Sequence, residues 1–240
     1  MKKRVAIKPS PVFWRAMGIV NGLCMMVLLL RLAFMVPAVN LWFYRWQYTV
    51  NDTYRHVNML PADLHDVTRH LIRYMQGLLD RDTGLQIQTI VGGQVRDFFS
   101  PIEIRHMVDV YDLFAWGRVI LYTCAPLLFA TTLAFVTRGR RHLAMLHHGW
   151  KWVSGTVIVL LLIPAIFMLI NWSRAFDLFH EIFFDNDYWI LNPQVDLLVR
   201  IVPNGFFIHA TMVIGGVFGT GLLGMFWLGR RRAVEGSLES

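Results

Sequence analysis

Two histidines are the residues of this chain best suited to chemistry. His106 precedes an apolar stretch, and His180 lies in the aromatic-rich segment 176–184. An imidazole accepts and donates protons near neutral pH, so a pair of histidines supports general acid–base catalysis. Asp109 shares a helix face with His106, and the spacing predicts that this carboxylate fixes the tautomer of His106 and raises its pKa. The alternative is that both histidines are interfacial residues in an aromatic belt.

The motifs of several other enzyme classes are absent from the sequence. It contains neither a G-x-S-x-G motif nor a phosphate-binding loop. His180 and Glu181 begin like a zinc-protease helix, but Phe184 occupies the position of the second histidine. Cys24 and Cys124 lie inside apolar stretches, which disfavours a thiolate nucleophile and an acyl-cysteine intermediate. We expect no cofactor and no metal.

The composition indicates which elements must position these histidines. Of the 240 residues, 55% are hydrophobic and 16% are charged, whereas a soluble domain carries about a quarter charged residues. A soluble protein, a disordered chain and a disulfide scaffold are therefore excluded. Four apolar stretches without Asp or Glu are each long enough to cross a bilayer, at about 16–41, 113–136, 152–171 and 205–228. The predicted fold is an all-α membrane protein, a single domain over 1–240 with four transmembrane helices.

The basic residues predict the orientation of these helices. They cluster before the first stretch, in the loop after the second, and after the fourth, where Arg230, Arg231 and Arg232 follow one another. Cytoplasmic segments carry such an excess, so both termini should be cytoplasmic. The cap (about 42–112) and the second outer loop (172–204) are then extracytoplasmic, and in both the acidic residues outnumber the arginines. The net charge of +7 is a topology signal rather than a sign of nucleic-acid binding.

The cap has patterns of both helix and strand. Apolar residues recur at helical spacing over 62–79, and short alternating segments flank Gly92-Gly93 as in a hairpin. Ser100 and Glu103 have the spacing of a capping box, which predicts a helix running through His106 into the second span.

Two features lie within the apolar stretches. Arg31 is either a functional group facing a wet cavity or an arginine capped by backbone carbonyls. Gly215, Gly219 and Gly224 predict close packing of the last helix, within the bundle or in a dimer.

Two motifs on the predicted outer face resemble the lipoprotein intramolecular transacylase family. Segment 105–110 reads Arg-His-Met-Val-Asp-Val, and segment 179–193 reads Phe-His-Glu-Ile-Phe-Phe-Asp-Asn-Asp-Tyr-Trp-Ile-Leu-Asn-Pro. The layout of four spans with an outer cap resembles the same family. The similarity that carries the motifs covers roughly 98–207.

The resemblance implies an acyl shift within one lipoprotein in the bacterial cytoplasmic membrane. The sn-2 chain of a diacylglyceryl-modified cysteine would move to the free α-amine of that cysteine on the extracytoplasmic side, giving the lyso form. His106 and His180 would be catalytic. Eight neighbours would orient them or bind the substrate: Arg105, Asp109, Phe183, Phe184, Asn186, Tyr188, Trp189 and Asn192.

Two other functions compete with this interpretation. A metal- or haem-binding membrane protein would use His106, His180 and His209 as ligands. A non-enzymatic membrane scaffold would use the cap to bind a partner.

Overall fold

The described part of the chain consists of helices and one two-stranded sheet. The computed structural model describes residues 10–238, with side chains described as far as Trp227. In chain order, the elements are α1 (Pro11–Ala38), α2 (Leu41–Val50), α3 (Thr53–Val57), α4 (Pro61–Met75), β1 (Gln88–Val91), β2 (Gln94–Asp97), α5 (Pro101–Val136), α6 (Arg140–Ile170), α7 (Trp172–Phe183), α8 (Leu197–Ile201) and α9 (Asn204–Leu238).

Four helices are long and apolar enough to cross a membrane: α1, α5, α6 and the Asn204–Trp227 part of α9. Large apolar side chains on them stand open, among them Leu169 and Ile170 of α6, at 84% and 78% exposure. Such surfaces suit hydrocarbon rather than water. The chain is a multi-pass membrane protein, as predicted. The basic residues at positions 2–8 lie outside the described residues, and the basic side chains at positions 230–232 lie beyond Trp227, the last side chain described.

The first apolar stretch is divided between two helices. The prediction extends to residue 41, whereas α1 ends at Ala38. The side chain of Asn40 then accepts a hydrogen bond from the amide of Trp42 and caps the start of α2. A capping asparagine favours the start of a new helix, so the chain turns into the cap at this point.

The chain divides into two compact units. The first contains the described parts of 1–30, 120–170 and 220–240. It contains a polar cluster around the buried Asn21. Asn21 Nδ2 donates to Thr131 Oγ1 (2.7 Å) and Thr132 Oγ1 (2.9 Å), and Asn21 Oδ1 accepts from Trp150 Nε1 (2.7 Å). Hydrogen bonds between apolar helices fix which faces meet, so this cluster ties α1, α5 and α6 together.

Close helix packing in the first unit occurs at other glycines than the predicted ones. A Cβ atom on Gly149 would lie 2.6 Å from backbone atoms of Gly18, so α6 and α1 approach backbone to backbone. A Cβ on Gly215, Gly219 or Gly224 would meet no described atom within 4 Å. The last helix therefore makes no close contact at these glycines within the described chain, contrary to the expectation of packing inside the bundle.

The second unit contains 31–119 and 171–219 and has its own apolar core. Buried residues from α2, α4, the start of α5 and α8 form this core, including Tyr48, Leu64, Leu71, Met107 and Ile201. Met107 follows His106 directly, so one face of the first turns of α5 is anchored in the core beside the candidate site.

The predicted cap helix forms but ends earlier than expected. The prediction extends to residue 79, whereas α4 ends at Met75. Gly77 has a φ of +76°, a conformation that glycine adopts without strain and that ends the helix. Arg118 Nη1 donates to the carbonyl oxygen of Met75 (3.1 Å) and caps the helix end. The interruption leaves Leu78 outside the helix and 64% exposed.

The predicted hairpin is confirmed. Strands β1 and β2 pair antiparallel, with Val91 opposite Gln94. Gly92 and Gly93 connect them with φ values of +62° and +82°. Both central residues of the favoured two-residue hairpin turn need positive φ, which explains the glycine pair.

Candidate active site

His106 lies on the first turns of α5, and a reciprocal cap fixes where this helix starts. The amide of Ser100 donates to Glu103 Oε2 (2.6 Å), and the amide of Glu103 donates to Ser100 Oγ (3.4 Å). This confirms the predicted capping box. The helix continues through His106 to Val136 without a break, as the sequence predicts.

His180 lies in the last turn of α7. The side chain of Asn171 starts this helix by accepting from the amide of Arg174 (3.1 Å). The imidazole Nδ1 of His180 lies 2.7 Å from the carbonyl oxygen of Phe176. A carbonyl oxygen can only accept, so Nδ1 carries the hydrogen in this bond. In the neutral ring the lone pair is then on Nε2.

The two imidazoles form a buried pair. Their ring centroids are 5.9 Å apart and their planes are inclined by 39°. His106 is 9% exposed and His180 is 7% exposed. Two histidines 74 positions apart thus lie side by side in the second unit, and an aromatic belt of separate interfacial histidines does not describe this geometry.

Aromatic rings enclose the pair. Trp189 stacks on His180 at 4.7 Å and 24°, and Phe184 contacts both histidines, at 5.4 Å from His106 and 5.5 Å from His180. Phe176 and Phe179 complete the surroundings of His180. Around the two polar rings the walls are therefore largely apolar.

Burial keeps both histidines neutral. His106 precedes the predicted span 113–136, and burial followed by the charge of His180 lowers its pKa to about 4. Burial also lowers the pKa of His180, although the hydrogen bond with Phe176 and the charge of Asp177 oppose this. Burial disfavours the charged form of an imidazole. Each ring is thus a neutral proton acceptor at pH 7.

The role predicted for Asp109 is wrong. Its Oδ2 accepts from Asn186 Nδ2 (2.9 Å), whereas His106 Nδ1 is buried without a hydrogen-bond partner among the described residues. The pKa of His106 is lowered rather than raised. Asp109 instead ties the segment after α7 to α5.

The remaining predicted neighbours lie at different distances from the pair. The guanidinium of Arg105 lies over the ring of Tyr188, 5.4 Å from its centroid. Asn192 Oδ1 accepts from the amide of Gln194 (2.9 Å), so this side chain shapes a turn. Phe183 is 52% exposed and packs on Phe179 at 4.7 Å. Trp189 and Phe184 contact the histidines, whereas Phe183 is an outer neighbour.

The sequence did not indicate the long-range hydrogen bonds of two acidic residues near this site. Glu103 Oε1 accepts from the amide of Leu198 (2.5 Å), in addition to its predicted bond in the capping box. Asp196 accepts from Ser100 Oγ (3.2 Å) and from the amide of Asn192 (2.7 Å). The capping-box spacing marks Glu103, but no local pattern indicates a partner 95 positions away.

The geometry does not favour a metal or haem site. His209 Nδ1 lies 2.9 Å from Gln47 Oε1, and its ring lies against Trp46 at 5.2 Å. Among the described side chains, which end at Trp227, no group of three or more His, Cys, Asp or Glu residues is arranged to hold a metal ion.

Comparison with known proteins gives one consistent likeness. The profile of the family described as lipoprotein intramolecular transacylase Lit matches residues 19–207. The solved structure of the membrane-integral lipoprotein intramolecular transacylase Lit from Bacillus cereus is similar over 96% of this chain and 100% of that chain, at 19% identity and a TM-score of 0.79. No curated protein matches the chain.

Two variants of the Bacillus cereus protein are similar as well. One has a histidine replaced by arginine (18% identity, TM-score 0.74) and the other has a histidine replaced by alanine (19%, 0.74). Each likeness covers 95% of this chain and 96% of that chain. The profile match over most of the chain, together with a common fold of four apolar helices, shows that this chain belongs to the lipoprotein intramolecular transacylase (Lit) family and is an acyltransferase.

Proposed function

We propose that this transacylase moves the sn-2 acyl chain of a diacylglyceryl-modified N-terminal cysteine to the α-amine of the same cysteine. His180 acts as the general base, and His106 completes the proton path to the departing glyceryl oxygen. The hydrogen bond from His180 Nδ1 to the carbonyl oxygen of Phe176 carries this assignment, because it leaves Nε2 as the proton acceptor.

The proton balance of the reaction needs nothing but the two histidines. When the amine attacks the ester carbonyl, its nitrogen becomes a positively charged, strongly acidic ammonium, which a weak base can deprotonate. His180 Nε2 takes this proton. The bond between the acyl carbon and the glyceryl oxygen then breaks, and this oxygen receives one proton from the pair. One N–H is exchanged for one O–H, so both rings end neutral.

The lowered pKa values suit the second half of this path. An imidazolium with a lowered pKa is a strong acid, so it gives its proton readily to a departing alkoxide. Burial, followed by the charge of His180, lowers the pKa of His106, so the pair holds one extra proton rather than two. A proton taken up at His180 is therefore released within the same turnover.

Confinement supplies much of the remaining catalysis in this proposal. Donor ester and acceptor amine belong to one molecule, so the protein has mainly to hold them close together, which is worth up to about 10⁵–10⁸ M in effective concentration. Phe184 and Trp189 form the walls at the histidines. Arg105, Tyr188, Asn186 and Asn192 would orient the peptide end of the substrate, with Phe183 outermost.

We place the protein in the bacterial cytoplasmic membrane with the histidine pair on the extracytoplasmic side. Both termini would be cytoplasmic, in line with the basic segments. The partner would be a diacylated bacterial lipoprotein, surrounded by membrane lipids and without nucleic acid.

Mass spectrometry of a lipoprotein N-terminus tests the proposal. A diacylated substrate with an isotope label in the sn-2 chain only should yield an N-acylated lyso product that carries the label on nitrogen. A label that remains esterified to the glyceryl oxygen would exclude sn-2 transfer. An unchanged substrate would favour the scaffold function, and a product formed only after metal addition would favour the metalloprotein.

A further inference from the structure

Glu103 connects two distant parts of the second unit, and we propose that it is the positioning residue of the active site. Its carboxylate fastens segment 184–198 to the start of α5 and so keeps His180, on which Trp189 stacks, beside His106. The catalytic consequence rests on the proposed function, whereas the fastening itself is a property of the fold.

Both carboxylate oxygens of Glu103 are used, and each serves a different segment. Oε2 accepts from the amide of Ser100 at the start of α5 (2.6 Å). Oε1 accepts from the amide of Leu198 in the first turn of α8 (2.5 Å). The residue is 1% exposed. A buried carboxylate that accepts two backbone N–H groups is a strong, directional link, because charge-assisted hydrogen bonds are about twice as strong as neutral ones.

A second carboxylate strengthens the same junction. Asp196, 7% exposed, precedes α8 and accepts from Ser100 Oγ and from the amide of Asn192. It therefore does not cap its own helix, and Glu103 supplies an acceptor for α8 instead. Ser100 lies between the two carboxylates and links both to the helix that carries His106.

Two residues of α5, one before His106 and one after it, are each hydrogen-bonded to the segment that follows α7. Glu103, His106 and Asp109 follow one another at steps of three residues on α5. Asp109 holds Asn186 near the beginning of the segment, and Glu103 holds Leu198 at its end. Trp189 lies between these ties and stacks on His180. Loss of the hydrogen bond between Glu103 and Leu198 would free the segment at one end only. The active site would then become less ordered, but its residues would stay together.

The chemistry of the tie requires an acceptor-only group. In Glu103→Gln, the amide group would place its NH2 opposite one of the two backbone N–H groups, leaving that N–H unsatisfied. Glu103→Asp keeps two acceptor oxygens but is shorter by one methylene. We therefore expect a larger effect from the glutamine variant than from the aspartate variant.

The test combines hydrogen exchange with kinetics on purified full-length protein in lipid nanodiscs. In Glu103→Gln, amide exchange in the peptide 194–203 should be at least about 10-fold faster than in the wild type. The kcat for a diacylated lipoprotein should fall about 10- to 100-fold with KM changed less than about 3-fold, because a small misplacement of catalytic groups lowers the rate more than binding. Glu103→Asp should show a smaller increase in amide exchange and a smaller loss of kcat than Glu103→Gln.

Asp66→Asn is the matched control, since Asp66 is exposed and pairs with Arg69 on α4. It should match the wild type in exchange and turnover. Wild-type exchange in Glu103→Gln, equal kinetic loss in Glu103→Asp and Glu103→Gln, or a KM change as large as the kcat change would overturn the proposal. If Glu103→Gln does not fold, Asp196→Asn loosens the same junction from the other side and is judged by the same criteria.

The two proposals fail separately. A wild-type protein that leaves the lipoprotein unchanged contradicts the proposed function, and exchange at 194–203 in Glu103→Gln still decides whether the fastening exists. Normal exchange with an active wild type contradicts the positioning role alone.

Discussion

The ring of His180 lies 5.9 Å from that of His106, and the two rings differ in their hydrogen bonds. His180 Nδ1 donates to the carbonyl oxygen of Phe176, whereas His106 Nδ1 is buried without a partner among the described residues. The tautomer of His180 is thereby fixed and that of His106 is not. A base needs a defined lone pair, and a group that relays a proton benefits from an unfixed tautomer. This asymmetry underlies the predictions about the site.

Removal of either histidine should abolish most turnover. General acid–base groups contribute about 10²–10⁴-fold each, so His106→Ala and His180→Ala should each reduce conversion of a diacylated lipoprotein by this factor. The double variant should be little worse than either single variant, because the two rings act in one proton path. Mass spectrometry of the lipoprotein N-terminus measures the conversion. His65→Ala and His147→Ala are the controls, and near-normal activity of His106→Ala would remove it from the mechanism.

The effects of substituting Asp109 and Asn186 on kcat should not be additive. Their side chains are joined at 2.9 Å, and Asp109 accepts from Asn186 rather than from His106. Asp109→Asn and Asn186→Ala should each lower kcat by about 3- to 30-fold, less than the histidine variants, since they shift the segment without removing a proton acceptor. The double variant should show the loss of one single variant. Additive losses would mean that the two residues act independently.

Acid should destabilise the protein partly through His106. An unfolded histidine titrates near pH 6.5, whereas the folded His106 has a pKa of about 4. Between these values the unfolded state binds a proton that the folded state excludes, so the stability that is present above pH 6.5 falls as the pH drops towards 4. The full loss is roughly 3 kcal/mol in the free energy of unfolding. Unfolding midpoints in detergent should therefore fall less steeply with acid in His106→Gln than in the wild type. Equal slopes would contradict the lowered pKa.

Neither cysteine should be needed for catalysis. Cys24 is buried at 6% exposure in α1, and Cys124 on α5 is half-buried; both thiols are free. Both belong to the first unit, whereas the histidine pair belongs to the second. Cys24→Ala and Cys124→Ala should each retain activity within about 2-fold, and a chelator should not inhibit. An acyl group trapped on either sulfur, detected by intact-mass analysis, would contradict direct transfer.

The proposed orientation can be tested in the cysteine-free protein. Asp80→Cys and Asp185→Cys place thiols at exposed positions in the cap and in the second outer loop. Both should react with a membrane-impermeant maleimide added to spheroplasts, because the charge bias places these loops outside. Thr137→Cys, in the basic loop after the second span, is the matched control and should react only after lysis. Labelling of Asp80→Cys only after lysis would reverse the topology.

Local sequence patterns determined the elements of this protein. The four apolar stretches, the Gly92-Gly93 hairpin and the capping box of Ser100 and Glu103 each depend on residues a few positions apart, and all appear in the structure. The two histidines could be selected by residue type and by their aromatic neighbours. The predicted end of α4 was wrong by several residues, because the apolar spacing continues past Gly77, where the backbone already turns.

Tertiary structure decided the partners of the polar groups at the site. The sequence predicted that the carboxylate of Asp109 interacts with His106, its neighbour on the same helix face. In the fold its carboxylate is bound by Asn186, 77 positions later, and Glu103 reaches Leu198, 95 positions later. A buried carboxylate bonds to whichever donors the packed segments place within reach, and burial also sets the direction of the histidine pKa values. Neither effect has a local signature, because both arise only when distant segments exclude water together.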